Sequence, residues 1–386
     1  MRHALIRPLL ALALLLLAPP ALALDTPARA AIAVDLASGA VLMEKNADTP
    51  LPPASMSKLM TLNMVFEALE EDRLSLDSRM PVSERAWRKG GSKMFVKVGD
   101  RIRVEDLLYG VTVQSGNDAC IVLAEGLAGT EAAFAERMNA RAAEIGLDDS
   151  NFKNATGWPE ENHVMSVRDL AILAERIVTE FPQFMHFFST REFEWEGITQ
   201  RNRNPLLDLG IGAIGLKTGH TEDAGYGLTA VAERDGRTVV VVVAGLPSAE
   251  ARAVEAEKIV NWAFREFRTG PLFEAGEVVA EAETWVGDVR RVGLAPAEDV
   301  VVTVPVADAG AIRARIRYDG PLAAPIAQGQ RVAELVVEAP GVEPVAHPLV
   351  AAEAVAAGGV LSRVEAAARL LVASSGVTLP AIPFLE

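Results

Sequence analysis

A single cysteine, Cys120, stands among 386 residues, so no disulfide can form within the chain whatever its compartment. It falls inside an apolar helical pattern and reads as a small buried hydrophobe rather than a reactive thiol. Histidine is nearly as scarce. Five residues, with no His or Cys cluster at ligand spacing, give a catalytic metal little support, and no cofactor is expected. Basic residues are in deficit, 37 Lys and Arg against 52 Asp and Glu, for a formal net charge of −15. A chain that grips nucleic acid needs a basic face, so nucleic acid is excluded as a partner. The N-terminal apolar run, Leu9 to Ala18, is too short for a spanning helix with stop-transfer flanks. Arg2, His3 and Arg7 precede it and Ala21-Leu22-Ala23 follows. That order marks residues 1–23 as a cleaved secretory signal, with no Cys beside the cut to carry a lipid anchor.

What is plentiful is apolar sequence, half of all residues, enough for two domains. Ala30–Asp35 and Val41–Lys45 read as strands joined by a hairpin at Ala37-Ser38-Gly39. Residues 55–70, 104–109, 119–128, 131–145 and 167–179 have helical spacing, and 149–166 reads as an ordered loop. Ile214–Lys217, Gly225–Glu233 and Thr238–Leu246 are strand-like, with Asp235-Gly236 closing a hairpin. A helix over 250–268 follows, with Val254, Ile259, Trp262, Ala263 and Phe267 expected on its buried side. The expectation for residues 24–268 is an α/β domain with an antiparallel sheet. Residues 269–347, rich in Val and Ile runs between Gly and Pro turns, read as a small all-β module. An Ala-rich tail, 348–386, ends the chain. In it Val360, Leu361, Val364, Ala367, Ala368, Leu371 and Val372 repeat at helical spacing, as in an amphipathic helix.

Three strings carry the chemistry: Ser55-Met56-Ser57-Lys58, Ser115-Gly116-Asn117 and Lys217-Thr218-Gly219. A Ser and a Lys three apart arise by chance in most chains of this length, and Ser-Gly-Asn is a common turn. Together and in this order they supply what serine acyl transfer needs. Ser55 and Lys58 share one face of a helix start, where a neutral lysine can take the hydroxyl proton. Neutrality requires burial or a nearby cation, and Lys217 is the expected cation. Ser115 and Asn117 would relay a proton and hold a substrate amide. Lys217 and Thr218 would receive a substrate carboxylate, and Gly219 would admit the substrate backbone. The N–H groups of Ser55 and His220 are the expected oxyanion donors.

These strings and their context resemble the D-alanyl-D-alanine carboxypeptidases, the serine-type low-molecular-mass penicillin-binding proteins of the bacterial envelope. Pro53-Ala54-Ser55-Met56-Ser57-Lys58-Leu59-Met60-Thr61, Gln114-Ser115-Gly116-Asn117-Asp118-Ala119-Cys120 and Gly215-Leu216-Lys217-Thr218-Gly219-His220-Thr221 are similar to the family's three motifs. Asn202-Arg203-Asn204-Pro205-Leu206-Leu207 and the Arg252 region before Trp262 are similar too, which places Arg203 and Arg252 near the pocket. The resemblance covers residues 28–268. It implies an α/β (α+β) penicillin-binding/β-lactamase-like transpeptidase domain, followed by a small all-β domain and a C-terminal amphipathic helix. It further implies that Ser55 attacks the bond between two D-alanines of a peptidoglycan stem peptide, that β-lactams acylate the same serine, and that the enzyme works in the periplasm. There the tail helix would hold it peripherally to the outer face of the cytoplasmic membrane.

Departures and rivals are specific. Gly116 stands where the class A β-lactamase pattern has Asp. A class A enzyme also places a loop Glu three residues before an Asn, and Glu160, Glu161 and Asn162 lack that spacing. A D,D-endopeptidase would use the same site, but usually without the β module. A non-catalytic envelope binding protein would have little reason to keep Ser55, Lys58, Ser115, Asn117 and Lys217 intact.

Overall fold

A computed structural model describes residues 24–308, 310–340, 342–360 and 363–364. A valine run dictates how its first module is layered. Every side chain from Val239 to Val243 is buried, and a strand sends successive side chains to opposite faces. Val240 and Val242 join one core with Ile32 and Val34, whereas Val239, Val241 and Val243 join a second with Ala31, Ala33 and Ala230. A continuous apolar run is what a strand covered on both faces requires. It occupies the centre of a five-stranded antiparallel sheet ordered Val41–Lys45, Ala30–Asp35, Arg237–Leu246, Gly225–Arg234, Ala213–Thr221. Asp235 and Gly236 both take positive φ, 51° and 77°, as the tight hairpin between strands Gly225–Arg234 and Arg237–Leu246 demands.

Helices Lys58–Glu70, Val104–Thr112, Asn117–Ala128, Glu131–Glu144 and Val167–Glu180 pack into the first core. Helix Ala249–Glu266 covers the other face through Ala256, Ile259, Val260 and Ala263, and the Ser248 hydroxyl caps it by accepting from the Ala251 N–H. Val254 departs from expectation and is 54% exposed. It lies two residues, about 200° of helical turn, from Ala256 in the buried stripe. Phe267 is buried as expected, but it opens the following strand rather than closing the helix.

In the second module Phe267–Phe273 pairs with Val300–Pro305. A six-stranded sheet runs Arg313–Arg317, Arg331–Ala339, Val342–Ala351, Arg291–Pro296, Ala280–Trp285, Leu322–Ala323. Its strand Val342–Ala351 crosses position 348, where the tail is expected to begin. Leu349 and Ala351 are core residues of the module, and bridges from Ile326 and Gly287 reach Val355 and Ala357. Pro344 and Pro348 disguise this strand in the sequence, because proline cannot donate to a ladder. The expected signal, 1–23, and nearly all of the tail helix, together with Leu379–Leu385, lie outside the described residues. Of that helix's apolar set only Val360 and Val364 are described, and both are exposed.

Candidate active site

Ala54–Ser57 forms one 3-10 turn, and the helix Lys58–Glu70 continues from it. The spacing brings Lys58 back over Ser55. Its Nζ donates to Ser55 Oγ at 2.7 Å and to the Thr156 carbonyl at 2.6 Å. Lys58 is wholly buried, and burial pushes its ammonium down to about 8; Cys120 opposes the shift, while Arg203 and Lys89 add to it. Lys217, the expected source of that depression, bears a shift of its own instead. Burial first, then Lys58 and Arg203, drives it well below the ordinary lysine range.

The Ser115-Gly116-Asn117 turn links the helices Val104–Thr112 and Asn117–Ala128. Ser115 adopts φ 59°, uncommon for a residue with a Cβ, and its Oγ accepts from Lys217 Nζ at 2.8 Å. Lys217 also donates to the Thr218 carbonyl at 3.1 Å. Asn117 Nδ2 donates to the Gly90 carbonyl at 2.9 Å, and its backbone N–H donates to the Ser92 carbonyl. The neighbouring Asp118 carboxylate accepts from the N–H groups of Met94, Phe95 and Val96. Segment 90–96 is thereby tied to the start of this helix, and Arg203 donates to Ser92 Oγ at 2.5 Å.

Gly219 also has a packing reason to be glycine. A Cβ there would sit 2.8 Å from the Pro53 carbonyl oxygen and 3.2 Å from Ala54 Cβ, so the strand must be glycine to press against the nucleophile turn. His220 is exposed, with its ring stacked on Tyr226 at 3.8 Å, and the Arg252 guanidinium lies 5.7 Å over the same tyrosine. Burial lowers Arg203 and Arg252. Lys58, Lys217, Arg203 and Arg252 thus form a cationic cluster, and among the described residues none of the four has a carboxylate partner. In a chain with net charge −15, such a cluster is built to meet an anion.

Several supporting groups have no sequence signature. The Thr156 carbonyl that holds Lys58 belongs to the loop 149–166. Within it Asn154 Oδ1 accepts from Thr156 Oγ1 and N–H and from the Trp158 N–H. The buried Glu131 accepts from the Ala155 N–H and pairs with Arg85. His163 bridges Ser57 Oγ at 2.8 Å and the Lys153 N–H at 3.1 Å. Burial, with Lys58 and Lys153 nearby, pushes its imidazole down to about 4. Accepting at Nδ1, the neutral ring donates from Nε2 to the serine. Cys120 lies buried between the two lysines' surroundings, and burial pushes its thiol up to about 12.

Residues 18–248 match the family described as D-alanyl-D-alanine carboxypeptidase, and residues 267–357 match the C-terminal domain of penicillin-binding protein 5. D-alanyl-D-alanine carboxypeptidase DacD of Escherichia coli K12 is 37% identical over 342 residues, covering 86% of this chain and 88% of the relative. The crystal structure of penicillin-binding protein 5 from Haemophilus influenzae superposes with a TM-score of 0.80 at 34% identity, over 88% of this chain and 99% of that one. Penicillin-binding protein D2 from Listeria monocytogenes, solved in its ampicillin-bound form, is 31% identical with a TM-score of 0.58, over 63% of this chain and 99% of its own.

Proposed function

This chain belongs to the D-alanyl-D-alanine carboxypeptidase family and is a serine-type D,D-carboxypeptidase, and from that premise we propose that Ser55 is its nucleophile and Lys58 its base. The observation that carries the assignment is the 2.7 Å contact from Lys58 Nζ to Ser55 Oγ, made by a lysine whose ammonium is pushed down to about 8. Neutral Lys58 takes the hydroxyl proton as Oγ attacks the carbonyl between the two terminal D-alanines of a peptidoglycan stem peptide. The N–H groups of Ser55 and His220 receive the oxyanion. The C–N bond breaks, the leaving amine takes a proton relayed through Ser115, and D-alanine departs. Water then hydrolyses the ester by the same route in reverse.

Asn117 commits its amide nitrogen to Gly90, which leaves Oδ1 as the acceptor for a substrate N–H. Lys217, Thr218, Arg203 and Arg252 surround the place of the substrate carboxylate. An incoming carboxylate raises the depressed pKa of Lys217 and restores its charge, so binding and protonation of that lysine are coupled. The ampicillin complex of the Listeria relative supports acylation of Ser55 by β-lactams. We assign residues 1–23 to secretion into the periplasm and the tail to peripheral contact with the membrane. The test is intact-protein mass spectrometry after benzylpenicillin, alongside D-alanine release from a pentapeptide. One adduct and free D-alanine are expected from wild type and neither from Ser55→Ala. An adduct that persists at another residue in Ser55→Ala overturns the assignment.

A further inference from the structure

Four arginines line a single cavity of about 400 Å³ far from the nucleophile. Arg234 and Arg237 flank the Asp235-Gly236 hairpin, Arg265 lies in the last turn of helix Ala249–Glu266, and Arg268 is on the strand that opens the second module. Arg234 is five residues along its strand from Thr229, the register partner of Lys217, or about 17 Å. The Phe264 ring sits between Arg234 and Arg237, with the guanidiniums 4.6 and 5.3 Å from its centre. Arg237 has structural work: it pairs with Asp35 at 2.6 Å and caps the Ala263 and Phe267 carbonyls. Arg265 pairs with Glu266. Arg234 and Arg268 have no carboxylate partner among the described residues. Arg234 is fixed by the Ile211 carbonyl and Asn261 Oδ1, and Arg268 is exposed, its side chain making no hydrogen bond among the described residues. Asp235 is the only acid in the lining. One arginine suffices to cap the helix, so the convergence of three more, Arg265 beside Glu266 and Arg234 and Arg268 without a carboxylate, with Arg234 held over the Phe264 ring, needs another reason in so acidic a chain. Rigid guanidinium forks suit tetrahedral oxyanions.

We propose that this cavity binds a phosphate group, carried either by a small phosphorylated anion or by an anionic lipid headgroup. The test uses the full chain and the variant R265E/R268E, both substitutions being at exposed side chains. Calorimetry with inorganic pyrophosphate at low salt reads the shared chemistry. Wild type should bind, and the variant should bind about tenfold more weakly or not at all. Co-sedimentation with phosphatidylglycerol and phosphatidylcholine vesicles separates the sources. A loss in the variant with phosphatidylglycerol alone assigns a lipid headgroup, whereas pyrophosphate binding with unchanged sedimentation assigns a free anion. If wild type and variant are indistinguishable in both measurements, the proposal is overturned. D-alanine release should be equal in the two proteins, which keeps this result independent of the assignment of Ser55.

Discussion

Two lysines in one pocket face opposite demands, and their burial sets how each responds to pH. Lys58 must be neutral to act as base. With its ammonium titrating at about 8, only about one-tenth is neutral at pH 7, so acylation by a β-lactam should rise roughly tenfold from pH 7 to a plateau above pH 9. Lys58→Ala should remove that rising limb and slow acylation by about 100- to 10,000-fold. Stopped-flow acylation between pH 6 and 9.5 checks both, and a flat wild-type profile would contradict the role. Lys217 must be charged to hold a carboxylate, although burial depresses it. Its protonated form binds the anion, so KM for a carboxylate-terminated peptide should climb with pH while KM for the esterified peptide does not. Lys217→Ala should cost the first substrate far more than the second, and equal losses in kcat/KM would sink the carboxylate assignment. These reacting side chains were legible in the sequence because Ser, Lys and Asn in three ordered strings specify them. Their electrostatic partners were legible only in part. Of the cations that lower Lys58, Arg203 was marked by the family resemblance, whereas Lys89 carries no motif, and the second hydrogen-bond acceptor of Lys58 is the carbonyl of Thr156, a group every residue carries.

At the scale of elements, the site is an assembly of turns pressed together where side chains would not fit. A Cβ on Gly157 would lie 1.8 Å from the Ala54 carbonyl oxygen, and the residue has φ 74°. Neither conflict can be relieved by rotating a side chain, so either the nucleophile turn or the loop carrying the Thr156 carbonyl must move. Gly157→Ala should therefore destabilise the protein by about 1–3 kcal/mol and slow acylation at least about tenfold. Gly270→Ala, where a Cβ would meet nothing within 4 Å, is the control and should change neither. Thermal melts and penicillin acylation rates measure both effects, and an unperturbed Gly157→Ala would show that the close approach is dispensable. His163→Ala should leave the Ser57 hydroxyl and the Lys153 N–H without their partner, with a loss of about 1–3 kcal/mol read by denaturant melts. The strand run 239–243 and the Asp235-Gly236 hairpin were readable from a continuous apolar run and from turn chemistry. The loop 149–166 was readable only as a loop, since its function resides in backbone groups and in Glu131, Asn154 and His163, which tertiary contacts alone bring into use.

For the whole molecule, the open question is where the β module ends and the tail begins. Leu349, Ala351 and Val355 are all buried in the module's core, so the module extends past residue 347. A chain ending at residue 347 loses all three, and losing buried side chains such as Leu costs about 2–5 kcal/mol each. It should melt earlier in the β module, whereas a chain ending at residue 357 should melt like the full protein and release D-alanine at the same rate. The segment 360–373 carries an apolar stripe with Arg363 and Arg369 beside it. As a helix it would be about 21 Å long, short of the roughly 30 Å hydrocarbon core, so it could lie in the interface but not cross it. The exposed Val360 and Val364, already turned to solvent where the stripe begins, favour a surface outside this molecule over packing on the β module. The chain ending at residue 357 should therefore pass from the membrane pellet to the soluble fraction with full carboxypeptidase activity. If the full chain is already soluble, or if the truncated chain fails to fold, the stripe belongs to the protein's own core and the membrane assignment falls.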